Sequence, residues 1–177
     1  MEGVLSSNKE VIVGKVLIVY FSTSGATERM ARYMAEGVRI AGHEADVKSV
    51  SDIRNEQDLS GYDAYLFGSA TYHLDIPEPF EAFLTVARKS GLTGKTGGAF
   101  SSRTHPSSSE VSVASLIFDR MESTFRMTMT SLGPFDLKPE WFEGDKPLID
   151  SPEGMRACQE YGKVIGEMLI DERVTST

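Results

Sequence analysis

The stretch VLIVYFSTSGATERMARYMAEGV, residues 16–38, decides how this chain folds. An unbroken apolar run from Val16 to Phe21 meets six small residues, Ser22-Thr23-Ser24-Gly25-Ala26-Thr27, and a charged, alternating stretch follows. Apolar side chains at every position mean a strand covered on both faces, as in the centre of a parallel sheet. Beyond the junction Met30, Met34 and Val38 recur at helical spacing, with Arg29, Arg32 and Glu36 on the other faces. The junction itself holds no lysine or arginine. It brings four hydroxyls and a glycine to the start of a helix, where unpaired N–H groups and a partial positive charge attract anions. Gly25 lets backbone approach closely, so the six residues form a cradle for phosphate built of neutral groups. Read without a ligand, the same residues are a helix cap with spare hydroxyls.

The same rhythm repeats along the chain. Further apolar, β-branched or aromatic runs lie at Ala45–Val50, Ala64–Ser69, Gly97–Ser102 and Phe125–Leu132. Helical patterns cover Thr27–Ala41, Pro77–Ser90, Glu110–Ser123 and Pro152–Ile170. Gly42 and Gly91 close two helices, and Pro77 opens one where its missing N–H costs little. The polar stretch Asn55–Gly61 shows no convincing helix. Strands alternating with helices of this length predict right-handed crossovers and a parallel sheet with helices on both faces. Arg126-Met127-Thr128-Met129-Thr130 alternates and reads as an edge strand. Gly133–Ser151 is a long loop holding Trp141 and Phe142, read as a packed cover in preference to a lid.

Composition narrows the function. With 177 residues, 40% hydrophobic and 25% charged, the chain fits one globular domain, taken as residues 15–171 with a leader at 1–14 and a tail at 172–177. A net charge of −8 argues against nucleic acid, which needs a basic face, and favours partners with basic patches. A single cysteine excludes an internal disulfide framework and multi-cysteine metal sites, and fits a reducing cytoplasm. No apolar run reaches the length of a membrane span, and the first ten residues do not read as a secretory signal.

Three motifs together resemble the flavodoxin family: STSGAT after the first strand, GSATYHLDIPEPFEAFL at residues 68–84, and GKTGGAFSSRTHPSSSEV at residues 94–111. The resemblance covers nearly all of residues 15–171. It implies an α/β fold, a three-layer αβα sandwich on a five-stranded parallel sheet of order 2-1-3-4-5, binding flavin mononucleotide (FMN) non-covalently. Ser22, Thr23, Ser24, Gly25, Ala26 and Thr27 would hold the phosphate. Ala70, Thr71, Tyr72 and His73 would border one flank of the ring, with Tyr72 offering a face for stacking. Ser102, Arg103, Thr104 and His105 would border the pyrimidine side, where donors stabilise charge developing near N1 and O2 on reduction.

Two departures from the family pattern bear on function. The second loop, Tyr72-His73-Leu74-Asp75, lacks the glycine whose peptide turns to meet N5–H of the one-electron reduced flavin. The third lacks the stacking tyrosine; His105 either covers the ring or stands exposed. Asp75, Glu78 and Glu81 follow the second loop, as a solvated helix start, an ionic docking surface or both.

The resemblance leaves two main functions. The favoured one is a small low-potential electron carrier between redox proteins. The alternative is an FMN-dependent NAD(P)H:quinone reductase, and a module without flavin ranks third. No catalytic or metal-ligating residue is assigned.

Other motifs fail. Gly94-Lys95-Thr96 precedes a strand, and Lys89 stands where a phosphate loop needs glycine. No G-x-S-x-G or dinucleotide glycine motif occurs. His43, His73 and His105 lack metal-ligand spacing, and Cys158 reads as a packed thiol. A phospho-receiver needs carboxylates where this chain has Phe21-Ser22 and Gly68-Ser69.

Overall fold

The structure, a computed structural model, describes residues 12–71, 75–103, 112–137, 141–143 and 146–175, with side chains to 170. Strand β1 (Lys15–Phe21) leads into helix α1 (Ala26–Ile40), β2 (Glu44–Ser49) and β3 (Ala64–Ala70). Helix α2 (Glu78–Arg88), β4 (Thr96–Ser102) and α3 (Val113–Asp119) follow, then short strands β5 (Thr128–Met129) and β6 (Phe135–Asp136). A small antiparallel pair, β7 (Phe142–Glu143) and β8 (Lys146–Pro147), precedes the long helix α4 (Pro152–Thr175). As expected from Asn55–Gly61, β2 and β3 are joined by short 3-10 turns rather than an α-helix.

The sheet is parallel throughout, in the order β2-β1-β3-β4-β5, with β6 also on β4. From Val16 on, central β1 is apolar because it feeds two cores. Val16 and Ile18 meet Met30, Met34 and Val38 of α1 and Cys158, Tyr161 and Ile165 of α4. Leu17 and Val19 point the other way, among Phe80, Phe83 and Leu84 of α2 and Val113 and Ile117 of α3. All four of these β1 residues are fully buried.

Helices α1 and α4 touch backbone to backbone. A β-carbon on Gly37 would lie 1.8 Å from the Gln159 carbonyl oxygen, and one on Gly162 would lie 1.9 Å from that of Met34. Glycine is required at both positions by proximity, not by a turn.

The fifth strand differs from the expected run Phe125–Leu132. Its place is shared by β5, against Thr96 and Gly97, and β6, against Phe100 and Ser101. Between them Gly133, at φ 74°, donates to the Thr130 carbonyl in a turn, and Pro134 has no N–H to give the ladder. The expected helix Glu110–Ser123 also ends differently: α3 passes into a wider π turn at Arg120–Thr124, and Arg126 takes the left-handed conformation at φ 56°.

Candidate cofactor site

Parallel pairing sets Phe21 beside Ser69, and Ser69 beside Ser101, so β1, β3 and β4 finish level with one another. The segments after them emerge side by side where the strand order reverses between β1 and β3, the usual place for a ligand in such sheets.

After β1, Gly25 caps α1 in the left-handed region at φ 86°, a conformation that favours glycine. Its N–H donates to Ser22 Oγ at 3.0 Å, closing the turn. No side-chain hydrogen bond caps the helix. The first helical bond runs from Arg29 N–H to the Gly25 carbonyl, which leaves the N–H groups of the first turn directed out of the helix end. Thr23 and Ser24 are exposed, whereas Ala26 and Thr27 are buried. What this loop leaves accessible is therefore backbone N–H groups and the exposed hydroxyls of Thr23 and Ser24. Ser22 closes the loop, and Thr27 faces inward.

Thr27 Oγ1 shares a buried 2.7 Å hydrogen bond with Ser102 Oγ at the end of β4. The Ser102 carbonyl in turn accepts the N–H of Thr71 at 3.0 Å. One residue thus joins the segments after all three central strands. Ser102→Ala strands the fully buried Thr27 hydroxyl, an omission that costs about 1–3 kcal/mol. The expected result is a melting temperature lowered by several degrees, measured by circular dichroism; an unchanged transition would mean that the bond contributes nothing.

Ala70 is buried, and the Thr71 hydroxyl is a buried oxygen with no hydrogen-bond partner among the described residues. The same is true of Ser101 Oγ. Polar atoms of this kind at the mouth of a sheet suit a ligand with a polar edge. Arg103 is four-fifths buried and bound through Nε, at 2.7 Å, and Nη2 to Asp136 of β6. That pair fixes the start of the third segment to the fifth strand position. Tyr72, His73, Thr104 and His105 lie outside the described residues.

Other expectations resolve locally. Glu81 is tied to Arg120 by two 3.1 Å hydrogen bonds, so its charge is largely compensated, while Asp75 accepts the N–H of Ile76. Trp141 stacks on Phe135 with ring centres 5.9 Å apart, and Phe135 packs against Tyr161. With Phe142 it lies against the α1/α4 core, the cover expected of that loop. Burial pushes the Cys158 thiol up to about 12, as suits an inert packing residue. Among the described residues there is no group of three side chains able to hold a metal, and no helix long and apolar enough to cross a membrane.

Three charged residues near the site escaped the sequence. Arg29 stands four residues after Gly25, so the two share a helix face, and that spacing was a usable signal. Asp136 and Asp150 come from distant segments, and nothing local marks them.

The layered fold and its three adjoining loops define a flavodoxin-like αβα domain. The family model described as Flavodoxin domain matches residues 17–133, and the chain belongs to that family. It is 32% identical over 144 residues to the NAD(P)H dehydrogenase (quinone) of Cupriavidus metallidurans, covering 68% of this chain and 71% of that protein. The NAD(P)H dehydrogenase (quinone) of Acidovorax ebreus is 30% identical over 160 residues, covering 77% of this chain and 76% of the relative. Among solved structures, a flavodoxin from the domain Archaea superposes with a TM-score of 0.71 at 26% identity, covering 87% of this chain and 97% of that one. Oxidised flavodoxin 1 from Bacillus cereus gives 0.69 at 22% identity, with 86% and 97% covered.

Proposed function

We propose that this protein binds FMN at the ends of β1, β3 and β4 and serves as an electron carrier between redox proteins. FMN would supply the chemistry, accepting and releasing electrons at its ring. The chain's own residues do the holding. The α1 N-terminus with Thr23 and Ser24 would hold the phosphate, Ala70, Thr71, Tyr72 and His73 would border one side of the ring, and Ser102, Arg103, Thr104 and His105 the other. Bound to Asp136, Arg103 anchors its segment more than it offers a mobile charge.

The observation that supports the carrier assignment is the segment after β6, whose described aromatic residues Trp141 and Phe142 pack against the α1/α4 core. Near-complete coverage of the archaeal flavodoxin accords with this. Asp75 and Glu78, with the net charge of −8, suit docking to a basic patch on a redox protein.

A second function, NAD(P)H:quinone oxidoreductase, is favoured by the names of the relatives at 30–34% identity and by the missing glycine in the second loop. Anaerobic photoreduction of the FMN-loaded protein, followed by visible spectroscopy, separates the two. A carrier is expected to reduce in two resolved one-electron steps and to leave NAD(P)H untouched. Direct two-electron reduction with rapid NAD(P)H turnover on a quinone would overturn the carrier assignment. Protein that stays colourless with added FMN would overturn both.

A further inference from the structure

The phosphate loop contains no basic residue, yet a guanidinium lies against its flank. Arg29 Nη1 is 3.4 Å from the point a β-carbon on Gly25 would occupy. Nε is buried, 3.1 Å from Asp150 Oδ2, but makes no aligned hydrogen bond there. The pair is therefore held by charge and proximity, and the fork's donors are not used up by its carboxylate. Asp150, in the turn before α4, is fixed from its other side: Tyr33 of α1 donates to its Oδ1 at 2.5 Å. The arrangement spans 117 residues of sequence between Tyr33 and Asp150.

We propose that Arg29 is a specificity residue of the cofactor site, adding a guanidinium for the phosphate ester beside the neutral loop, while Asp150, anchored by Tyr33, offsets part of its charge. This rests on FMN being the cofactor. The helix end offers a partial charge of roughly half a unit, shared by any anion. A guanidinium beside Gly25 adds a fixed fork that matches phosphate oxygens. The residue would thus separate FMN from riboflavin, which carries the same ring without the phosphate. Asp150 has a cost in this scheme, because its carboxylate stands near the same anion and draws on the same guanidinium. The short bond from Tyr33 has an independent signature, since it pushes the phenol up to about 12.

Flavin fluorescence titrations of the flavin-free full chain with FMN and with riboflavin test the inference. For Arg29→Gln, FMN affinity is expected to fall about tenfold, the lower end of what a charged hydrogen bond is worth because Arg29 is 42% exposed. Riboflavin affinity is expected to stay as in the unsubstituted protein, and Arg29→Lys to recover part of the loss. Asp150→Asn is expected to tighten FMN binding about twofold or more, leave riboflavin unaffected, and bring the Tyr33 phenol titration down. A loss shared equally by FMN and riboflavin in Arg29→Gln would indicate damage to the loop and overturn the role. So would unchanged FMN affinity, with the cofactor assignment left standing. If the unsubstituted chain binds neither flavin, the cofactor assignment and this role fall together.

Discussion

Gly162→Ala is expected to lower the melting temperature by about 6–12 °C, the equivalent of roughly 3 kcal/mol in a chain of this size. Alanine is the better helix former by about 1 kcal/mol, so on an open helix face the same change would stabilise. Here the added carbon would sit 1.9 Å from the Met34 carbonyl oxygen, where backbone cannot turn aside as a side chain can. Relief requires α1 and α4 to separate, which loosens Met30, Met34, Cys158 and Ile165 in the core between them. Gly37→Ala meets the Gln159 carbonyl from the other helix and should behave alike. Because the two contacts share one interface, the double substitution should cost less than the sum. Thermal melts of the single and double variants measure this directly. A variant as stable as the parent would mean that the helices are not in backbone contact.

Gly25→Val is expected to weaken FMN binding by about 10–100-fold, from strain of roughly 1–3 kcal/mol. At φ 86° a β-branched residue is a steric outlier, so the loop relaxes in the flavin-free protein, and binding must then restore the strained shape. Gly25→Ala should fall between the two. Melting of the flavin-free variants reports whether the scaffold survives, since Gly25 itself belongs to neither core. Titration with FMN that returns the parent's affinity would mean the phosphate is held elsewhere.

The parts of the fold legible in the sequence were those specified by neighbours in the chain. The β1–α1 boundary is set by a switch from continuous apolar residues to helical spacing within a few positions, and the structure starts α1 one residue earlier than expected. The loop Ser22–Thr27 is contiguous, and Gly25 sets the turn that starts α1. The fifth strand is different. Alternating Met127 and Met129 bury themselves whether the segment is a full strand or only a brief contact with β4. The ladder ends because of the turn at Thr130–Gly133 and the proline after it, and the wide turn before it is set by packing of Met121 and Phe125. Periodicity does not record such events. Charges were harder still. Glu81 reads as free acidity until Arg120, 39 residues away, is seen to hold it, and nothing local to Arg103 points to Asp136 as its partner. Ion pairs formed across the fold leave no local pattern to read.

Ser102 is the common joint of three loops that arise far apart in the sequence. A pull on the start of α1 passes through the Thr27 hydroxyl into β4 and on to the Thr71 amide without crossing a flexible span. Deuterium uptake at Thr71 should therefore slow when an anion settles at the other end of the chain of contacts. Evolution, too, would have to shift these loops in concert, since a change of tenant at one is felt by its neighbours.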